Sequence, residues 1–428
     1  MNRNEVREVV VVEAIRLPIG KSSRAQMAKY GGYYRNSSSQ DMLASVLESL
    51  VDRVQVKSTQ FDAHEIEDVH VGILSQIGDQ GGNIARIAQL LAKNIPDIVA
   101  AATVNRYCNA GLQAINTCCN AIKVGDGDIM IAAGVENLTH YPMSIDIQLG
   151  TFIDVEQIHA QFSNQMSELQ ERMSFVQGES AELVAEKYDL SREDMDKFSL
   201  WSHQKATLAM RDKENYTKRV VPIDVSIEQP DGTSESITVN EDQTVRTICQ
   251  DDPETAWTQI SNLKPVFREE GRVTAGNSSQ ISDGASAVML MAREKADELG
   301  LKPMVKILST AVAGDDPKLM LTGPIPAMER ALKRAGDLTI DDMNCIEPNE
   351  AFASPCLAFA KHFDYAFDDP RVNPYGGAIA IGHPIGSSGV QYFANMAHYL
   401  VNKNKKYGLQ TLCGGGGVGI ATVVERVK

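Results

Sequence analysis

The chain has 428 residues, 43% hydrophobic and 23% charged, with 56 acidic against 41 basic side chains and a formal net charge of −15. This length holds two or three domains, or one large duplicated fold with a sizeable core. The acidic balance argues against nucleic-acid binding as the main role, because a phosphate footprint needs a basic excess.

The N-terminal stretch passes directly into a strand pattern at Val9–Ala14 and fits neither a secretion signal nor a transit peptide. A helix is predicted in "SSQDMLASVLESLVDR", with Ser39 or Asp41 near its cap, then a strand in "IEDVHVGIL" and a helix in "NIARIAQLLAKNI", stopped by Pro96. Ala100–Val104 reads as a strand. Beyond it Leu112, Ile115, Cys119 and Ile122 recur at helical spacing, so Cys108 stands at or just before a helix start. "GDIMIAAGVE" is a buried strand. Residues 141–257 are richer in Gln, Glu, Asp and Ser, with helical patterns in "GESAELVAEKY" and "SREDMDKFSLWSHQKATLAM", and read as an inserted lid or loop domain. "ISDGASAVMLMA" returns to the first sheet.

The same grammar then repeats. "KPMVKILSTAVAG" opens as a strand, and "PIPAMERALKRAG" is a helix with Pro near its start and Gly after its end. "DDMNCIEPNEAF" parallels the earlier "IEDVHVGIL". "GSSGVQYFANMAHYLVNK" parallels the Cys108 helix, and "GLQTLCGGGGVGIATVVE" closes as strand, turn, strand. Alternation of this kind implies parallel sheets covered by helices, here in two look-alike halves. No apolar run is long enough to span a membrane. The C-terminal "ERVK" carries no address signal. The seven cysteines are odd in number, scattered and without a C-x-x-C pair, which argues against a disulfide framework and a structural zinc site. A reduced, cytoplasmic protein is the expectation.

Four stretches have the composition of chemistry rather than scaffolding. Cys108 sits where outward N–H groups lower a thiol pKa; the competing reading is a small buried hydrophobe. His383, among glycines and before Pro384, is a candidate base or a hydrogen-bonded turn histidine. Cys413 enters a run of four glycines with no Lys-Ser/Thr after it, so a phosphate loop fails on context. Backbone N–H groups approaching a reacting oxygen fit better there. Asn349 follows Pro348 at the expected C-terminal end of a strand, as a ligand-edge residue or a helix cap. The basic run Arg211–Arg219 is an anion-site candidate or a solvated loop. Cysteine plus histidine is the minimum for thiol acyl transfer.

On "VNRYCNAGLQA", "GVENLTHYPM", "TAGNSSQISDGASAV", "NEAFA", "NPYGGAIAIGHPIGSSG" and "TLCGGGGVGIATVVERV", nearly the whole chain resembles the thiolases. The resemblance implies an α/β fold: two duplicated βαβαβαββ halves in α-β-α-β-α layers, with five strands each and an inserted loop domain. Residues 1–140 plus 258–295 would form the first half, 141–257 the insert and 296–428 the second half. It implies transfer of an acyl group between an active-site cysteine and CoA, cleaving 3-ketoacyl-CoA to acetyl-CoA and a shortened acyl-CoA, as in fatty-acid beta-oxidation. An acetoacetyl-CoA-forming acetyltransferase is the alternative, and a ketoacyl synthase or a non-catalytic acyl-CoA-binding subunit the further ones.

By the same resemblance Cys108 is the nucleophile, His383 its base, Cys413 the second acid/base and Asn349 the residue orienting a water. The N–H groups of Cys108 and Gly415 would hold the acyl oxygen. Ala275, Ser279 and, more loosely, Arg246 would contact CoA, which is a co-substrate; no permanent cofactor and no metal are implied. A homodimer or homotetramer, sometimes with a hydratase/dehydrogenase partner subunit, is the implied assembly. The chain departs from the family pattern at Asn109 and Ala110 after the nucleophile, and at Val176, Gln177 and Ser180 around "QGESAE". The stretch "SIDIQLGTFIDVEQIHAQFSNQMSELQERMSF" is unlike the family.

Overall fold

Two half-sheets with matching strand order form the frame. The computed structural model describes residues 6–22, 31–143, 168, 171–174, 176–228 and 232–428; most of "SIDIQLGTFIDVEQIHAQFSNQMSELQERMSF" lies outside them. In the first half, β1 (Val9–Arg16), β3 (Asp68–Gly72), β4 (Ala100–Val104), β5 (Ile129–Asn137) and β8 (Ser282–Ala292) lie in the order β4-β3-β5-β8-β1. β3 is parallel to β4 and β5, β8 runs antiparallel to β5 and β1, the short β2 (Gly20–Lys21) adds to β8, and β6 (Ile223–Glu228) pairs with β7 (Ser234–Val239) in a separate hairpin. β1, β5 and β8 are buried on both faces, which is why they read as continuous apolar runs rather than alternation.

In the second half, β9 (Val305–Gly314), β10 (Cys345–Pro348), β11 (Tyr407–Gly414) and β12 (Val418–Arg426) lie in the order β10-β11-β12-β9. This is the first order with one place vacant. The expected fifth strand is reduced to a single parallel bridge, Ile346 to Val372. Prolines at 370 and 374 flank it, and a proline cannot donate to a ladder. Val10↔Lys306 and Val11↔Val305 join the halves edge to edge.

Three apolar cores hold five layers together, the middle one lying on both sides of the central helices. Helices α1 (Ser39–Lys57) and α2 (Ile84–Leu91) pack on the outer face of the first half-sheet. Helix α3 (Ala110–Val124), which carries the expected Cys108 helix pattern, fills the central layer between the two half-sheets. Residues 141–257 supply α4 (Gln177–Lys187) and α5 (Arg192–Arg211), the latter's start fixed by a Ser191/Asp194 capping box. Helices α6 (Pro324–Arg334) and α7 (Ala353–Phe363) cover the outer face of the second half-sheet, sharing that core with α4. Helix α8 (Ile385–Asn402) joins α3 in the central layer.

The N-terminal ends of α3 and α8 meet backbone to backbone. A Cβ on Gly111 would lie 2.7 Å from Gly386 O, and one on Gly389 2.0 Å from Leu112 N. Only glycine permits that approach, and it brings the turns before the two helices side by side. The basic run Arg211–Arg219 is not an open anion patch. Arg211 pairs with Asp251, Lys213 with Glu241 and Lys218 with Glu214. Arg219 is buried, its guanidinium 4.1 Å from the Tyr375 ring centroid and 5.0 Å from that of Tyr216.

Candidate active site

Four loops at strand ends and helix starts supply the site. Cys108 stands between β4 and α3, Asn349 just after β10, His383 just before α8 and Cys413 near the end of β11. All four side chains are buried. Asn349 Nδ2 lies 3.4 Å from His383 Nε2, and the Asn349 side chain is close enough to Cys413 to favour its thiolate. Cys108 lies close enough to Cys413 for its charge to act on that thiol. Gly415 packs against Tyr107, where a Cβ would stand 3.2 Å from the ring. The structure therefore brings Cys108, Asn349, His383, Cys413 and the Gly415 turn together, as the sequence implied.

The histidine tautomer follows from its partners. Ser388 donates its hydroxyl hydrogen to Pro384 O at 2.9 Å. Its oxygen, 2.6 Å from His383 Nδ1, must then accept from Nδ1–H. Nε2 is left with its lone pair facing the site, as a base requires. Burial lowers the His383 pKa to about 4, keeping the ring neutral.

The thiol does not behave as the helix start alone predicts. Burial pushes the Cys108 pKa up to about 12. Its own backbone N–H and a hydrogen bond with Gln177 pull the other way, and the Glu136 carboxylate adds to the rise. Cys108 packs with Leu138 and Ile385, with Leu74 beside them, so the thiol is enclosed by hydrocarbon. Desolvation outweighs the helix terminus, and the expected lowering is corrected to a rise. Burial raises Cys413 as well, with Cys108 adding to the rise.

Glu136, at the end of β5, accepts from Leu74 N (3.0 Å), Ser75 N (3.2 Å), Gln80 Nε2 (3.0 Å) and Gly386 N (2.9 Å). It ties the loop after β3 to the first turn of α8 beneath Cys108. Burial raises its pKa, while these donors favour the carboxylate.

With this geometry in place, the chain was compared with known proteins. The family model described as "Thiolase, N-terminal domain" matches residues 9–294, and "Thiolase, C-terminal domain" matches 301–426. The chain belongs to the thiolase family. It is 40% identical over 426 residues to a 3-ketoacyl-CoA thiolase of Idiomarina loihiensis, covering 99% of this chain and 100% of that protein. A 3-ketoacyl-CoA thiolase of Aeromonas salmonicida is 39% identical over 426 residues, at the same coverage. The crystal structure of the Bacillus anthracis acetyl-CoA acetyltransferase superposes with a TM-score of 0.82 at 30% identity, covering 99% of this chain and 100% of that one.

Set against this thiolase frame, the three residues expected to meet CoA also lie together. Ala275, Ser279 and Arg246 line one cavity of about 440 Å³, with Lys21 and Phe267. Its wall is tied to the loops that carry Asn349 and His383. Ser279 N–H donates to Ala351 O at 2.9 Å, and His383 N–H to Gln280 O at 3.0 Å. Sequence reasoning assigned no role at the site to Ser388, Glu136 or Gln177. Ser388 sits in the Gly-rich run five residues past His383, a signal that was present. Gln177 reaches Cys108 only through the tertiary fold.

Proposed function

We propose that the chain cleaves 3-ketoacyl-CoA with free CoA by a ping-pong mechanism, carrying the acyl group on Cys108. The observation that carries this reading is the contact of Asn349 with both His383 and Cys413, beside a nucleophile set at a helix start. Such an arrangement puts acid/base groups on two sides of one reacting centre. His383 Nε2 takes the thiol proton as the Cys108 sulfur bonds to the 3-keto carbon. The bond between carbons 2 and 3 breaks, leaving acyl-Cys108 and the enolate of acetyl-CoA, which Cys413 protonates at carbon 2. The Cys413 thiolate then takes the thiol proton of incoming CoA. That sulfur attacks the thioester, the shortened acyl-CoA leaves, and Cys108 recovers its proton from His383. The N–H groups of Cys108 and Gly415 hold the acyl oxygen; protonated His383, with a water oriented by Asn349, holds the enolate oxygen.

Ala275, Ser279 and Arg246 are the proposed CoA contacts, supported by their common cavity. We read residues 141–257 as the insert and its flanks as the two halves. A role in fatty-acid beta-oxidation follows the names of the thiolase relatives. The seven buried free cysteines fit a cytoplasmic setting. A homodimer or homotetramer is supported by β4, an edge strand whose neighbourhood exposes Leu90, Leu91 and Ile98. A hydratase/dehydrogenase subunit is the proposed further partner. The second reading, an acetoacetyl-CoA-forming acetyltransferase, is favoured by the likeness to the Bacillus anthracis enzyme.

The test mixes protein, free CoA and a chain-length series beginning with acetoacetyl-CoA, and follows acetyl-CoA formation. Turnover is expected, and its absence at every length overturns the reading. Cys108→Ala is expected to abolish the acyl adduct in intact mass spectra; an adduct persisting elsewhere moves the nucleophile.

A further inference from the structure

A second cavity, of about 920 Å³, opens far from the reacting residues. Helix α8 starts two residues after His383 and has His398, Val401 and Asn402, in its last turns, in the cavity wall. Its 18 residues span about 27 Å. The end of α1, the link between the halves at Gly300–Met304 and the last residues of β12 complete the wall, together with Lys218 from the insert. Every major part of the chain thus meets at this one place.

The cavity's charge is unbalanced. Lys57 is cancelled by Glu13 at 3.0 Å, and Lys218 by Glu214 at 3.3 Å. Arg53, Lys302 and Arg426 form no ion pair among the described residues. Arg53 spends its donors on the carbonyls of Thr217 and Lys218, and Arg426 on those of Lys405 and Val427. Carbonyls satisfy hydrogen bonds without cancelling charge, and the carboxylate that acts on half-buried Arg53 is Glu13, already paired with Lys57. Against these three cations stands one carboxylate without a cation, Asp52, which accepts from Asn94. In a chain of net charge −15 this is a local reversal of sign. Beside the cations the walls are hydrocarbon: Val56 is 86% exposed and Val401 42%, with Pro303, Met304 and Val427 between them.

We propose that this cavity is a binding site for a small amphipathic anion, a single carboxylate or phosphate head on an apolar body. The head would meet Arg53, Lys302 and Arg426, and the body would lie along Val56, Val401 and Val427. Cations alone would suit inorganic phosphate, and the apolar wall alone would suit a neutral hydrocarbon. Their juxtaposition in a volume typical of small-molecule sites selects a ligand with both. This site is independent of the thiolase chemistry and stands or falls apart from it.

The experiment titrates the full-length protein by calorimetry with octanoate, octyl phosphate, octanol and inorganic phosphate. Saturable binding of one octanoate or one octyl phosphate per chain is expected, and the stronger of the two names the head group. Octanol and inorganic phosphate should bind at least about tenfold more weakly. Lys302→Glu reverses an exposed charge and should weaken octyl-anion binding about tenfold. Val56→Asp, on exposed helix surface, should do the same from the apolar side. Lys21→Glu, at the cavity by Ala275, should leave it unchanged. The urea-unfolding midpoints of Lys302→Glu and Val56→Asp should stay close to that of the parent chain, showing intact folds. Octanol binding as well as octanoate, phosphate binding as well as octyl phosphate, or octyl-anion binding indifferent to Lys302→Glu and Val56→Asp would each overturn the proposal.

Discussion

Ser388 Oγ sits 2.6 Å from His383 Nδ1 while donating to Pro384 O at 2.9 Å, so one hydroxyl sets the tautomer of His383. Ser388→Ala removes the acceptor that, among the described residues, holds the proton on Nδ1. The ring can then carry its proton on Nε2, the nitrogen proposed to receive the thiol proton. kcat/KM for a 3-ketoacyl-CoA is expected to fall about tenfold, the worth of one net hydrogen bond near 1.4 kcal/mol. Ser388→Thr, which keeps the hydroxyl, should restore most of it. A loss below twofold in Ser388→Ala would remove Ser388 from this role.

The resting Cys108–His383 pair is neutral on both sides. Burial holds the thiol near 12 and the imidazole near 4, so at pH 7 neither is charged. Below its pKa the thiolate fraction rises tenfold per pH unit. Alkylation of Cys108 by iodoacetamide should therefore climb by about a factor of ten per unit from pH 6 to 9, without a plateau. A resting thiolate–imidazolium pair would give a flat, fast rate across that window. Gln177→Leu removes a hydrogen bond that favours the thiolate and should slow alkylation roughly threefold at every pH in the range.

These two behaviours mark what sequence can and cannot say. Glycines, prolines and strand-to-helix transitions place Cys108, Asn349, His383 and Cys413 locally, and local placement is what such punctuation encodes. The contacts that make the four a site cross the chain: Asn349 meets His383, and Glu136 holds Gly386, 250 residues on. The pKa of Cys108 turns on Leu138, Ile385 and Leu74, so a helix-start argument built from neighbours alone gives the wrong sign. Helix boundaries yield to similar competition. α2 ends at Leu91 rather than Ile95, because Lys93 N–H donates to Glu48 Oε1 and Asn94 to Glu48 O. The hairpin Ile223–Glu228 with Ser234–Val239 is largely solvated and carries too few apolar residues to announce itself.

Glu136 acts on Cys108 in two opposed ways. Its charge raises the thiol pKa, while its four hydrogen bonds fix the loops around the thiol. Glu136→Gln separates them. Losing the charge should speed iodoacetamide alkylation of Cys108 at pH 8 by roughly threefold. Turning an amide NH2 toward backbone N–H donors should cost about 2 kcal/mol of stability in urea unfolding. Slower alkylation in a folded Glu136→Gln protein would contradict the electrostatic half.

Asn109, the residue after the proposed nucleophile, answers for the spacing of the two thiols. With its amide turned to suit its neighbours, Nδ2 donates to Cys413 O at 2.9 Å and Leu412 O at 3.0 Å. It is fully buried, and Gly414 leaves room for it, since a Cβ there would stand 3.0 Å from the end of the Asn109 amide. The side chain thus staples the Cys108 turn to the strand end that carries Cys413. Asn109→Ala releases both carbonyls, and Asn109→Asp keeps the shape but sets oxygen against oxygen. The measurement is exchange of deuterium into the methyl group of acetyl-CoA, which needs Cys413 in register with substrate held beside Cys108. Exchange should fall about tenfold in Asn109→Ala and further in Asn109→Asp. Alkylation of Cys108 should change less than about twofold, because its burial and its Gln177 contact remain. Equal losses in both assays would mean that Asn109 supports the helix start alone and does not set the distance between the thiols.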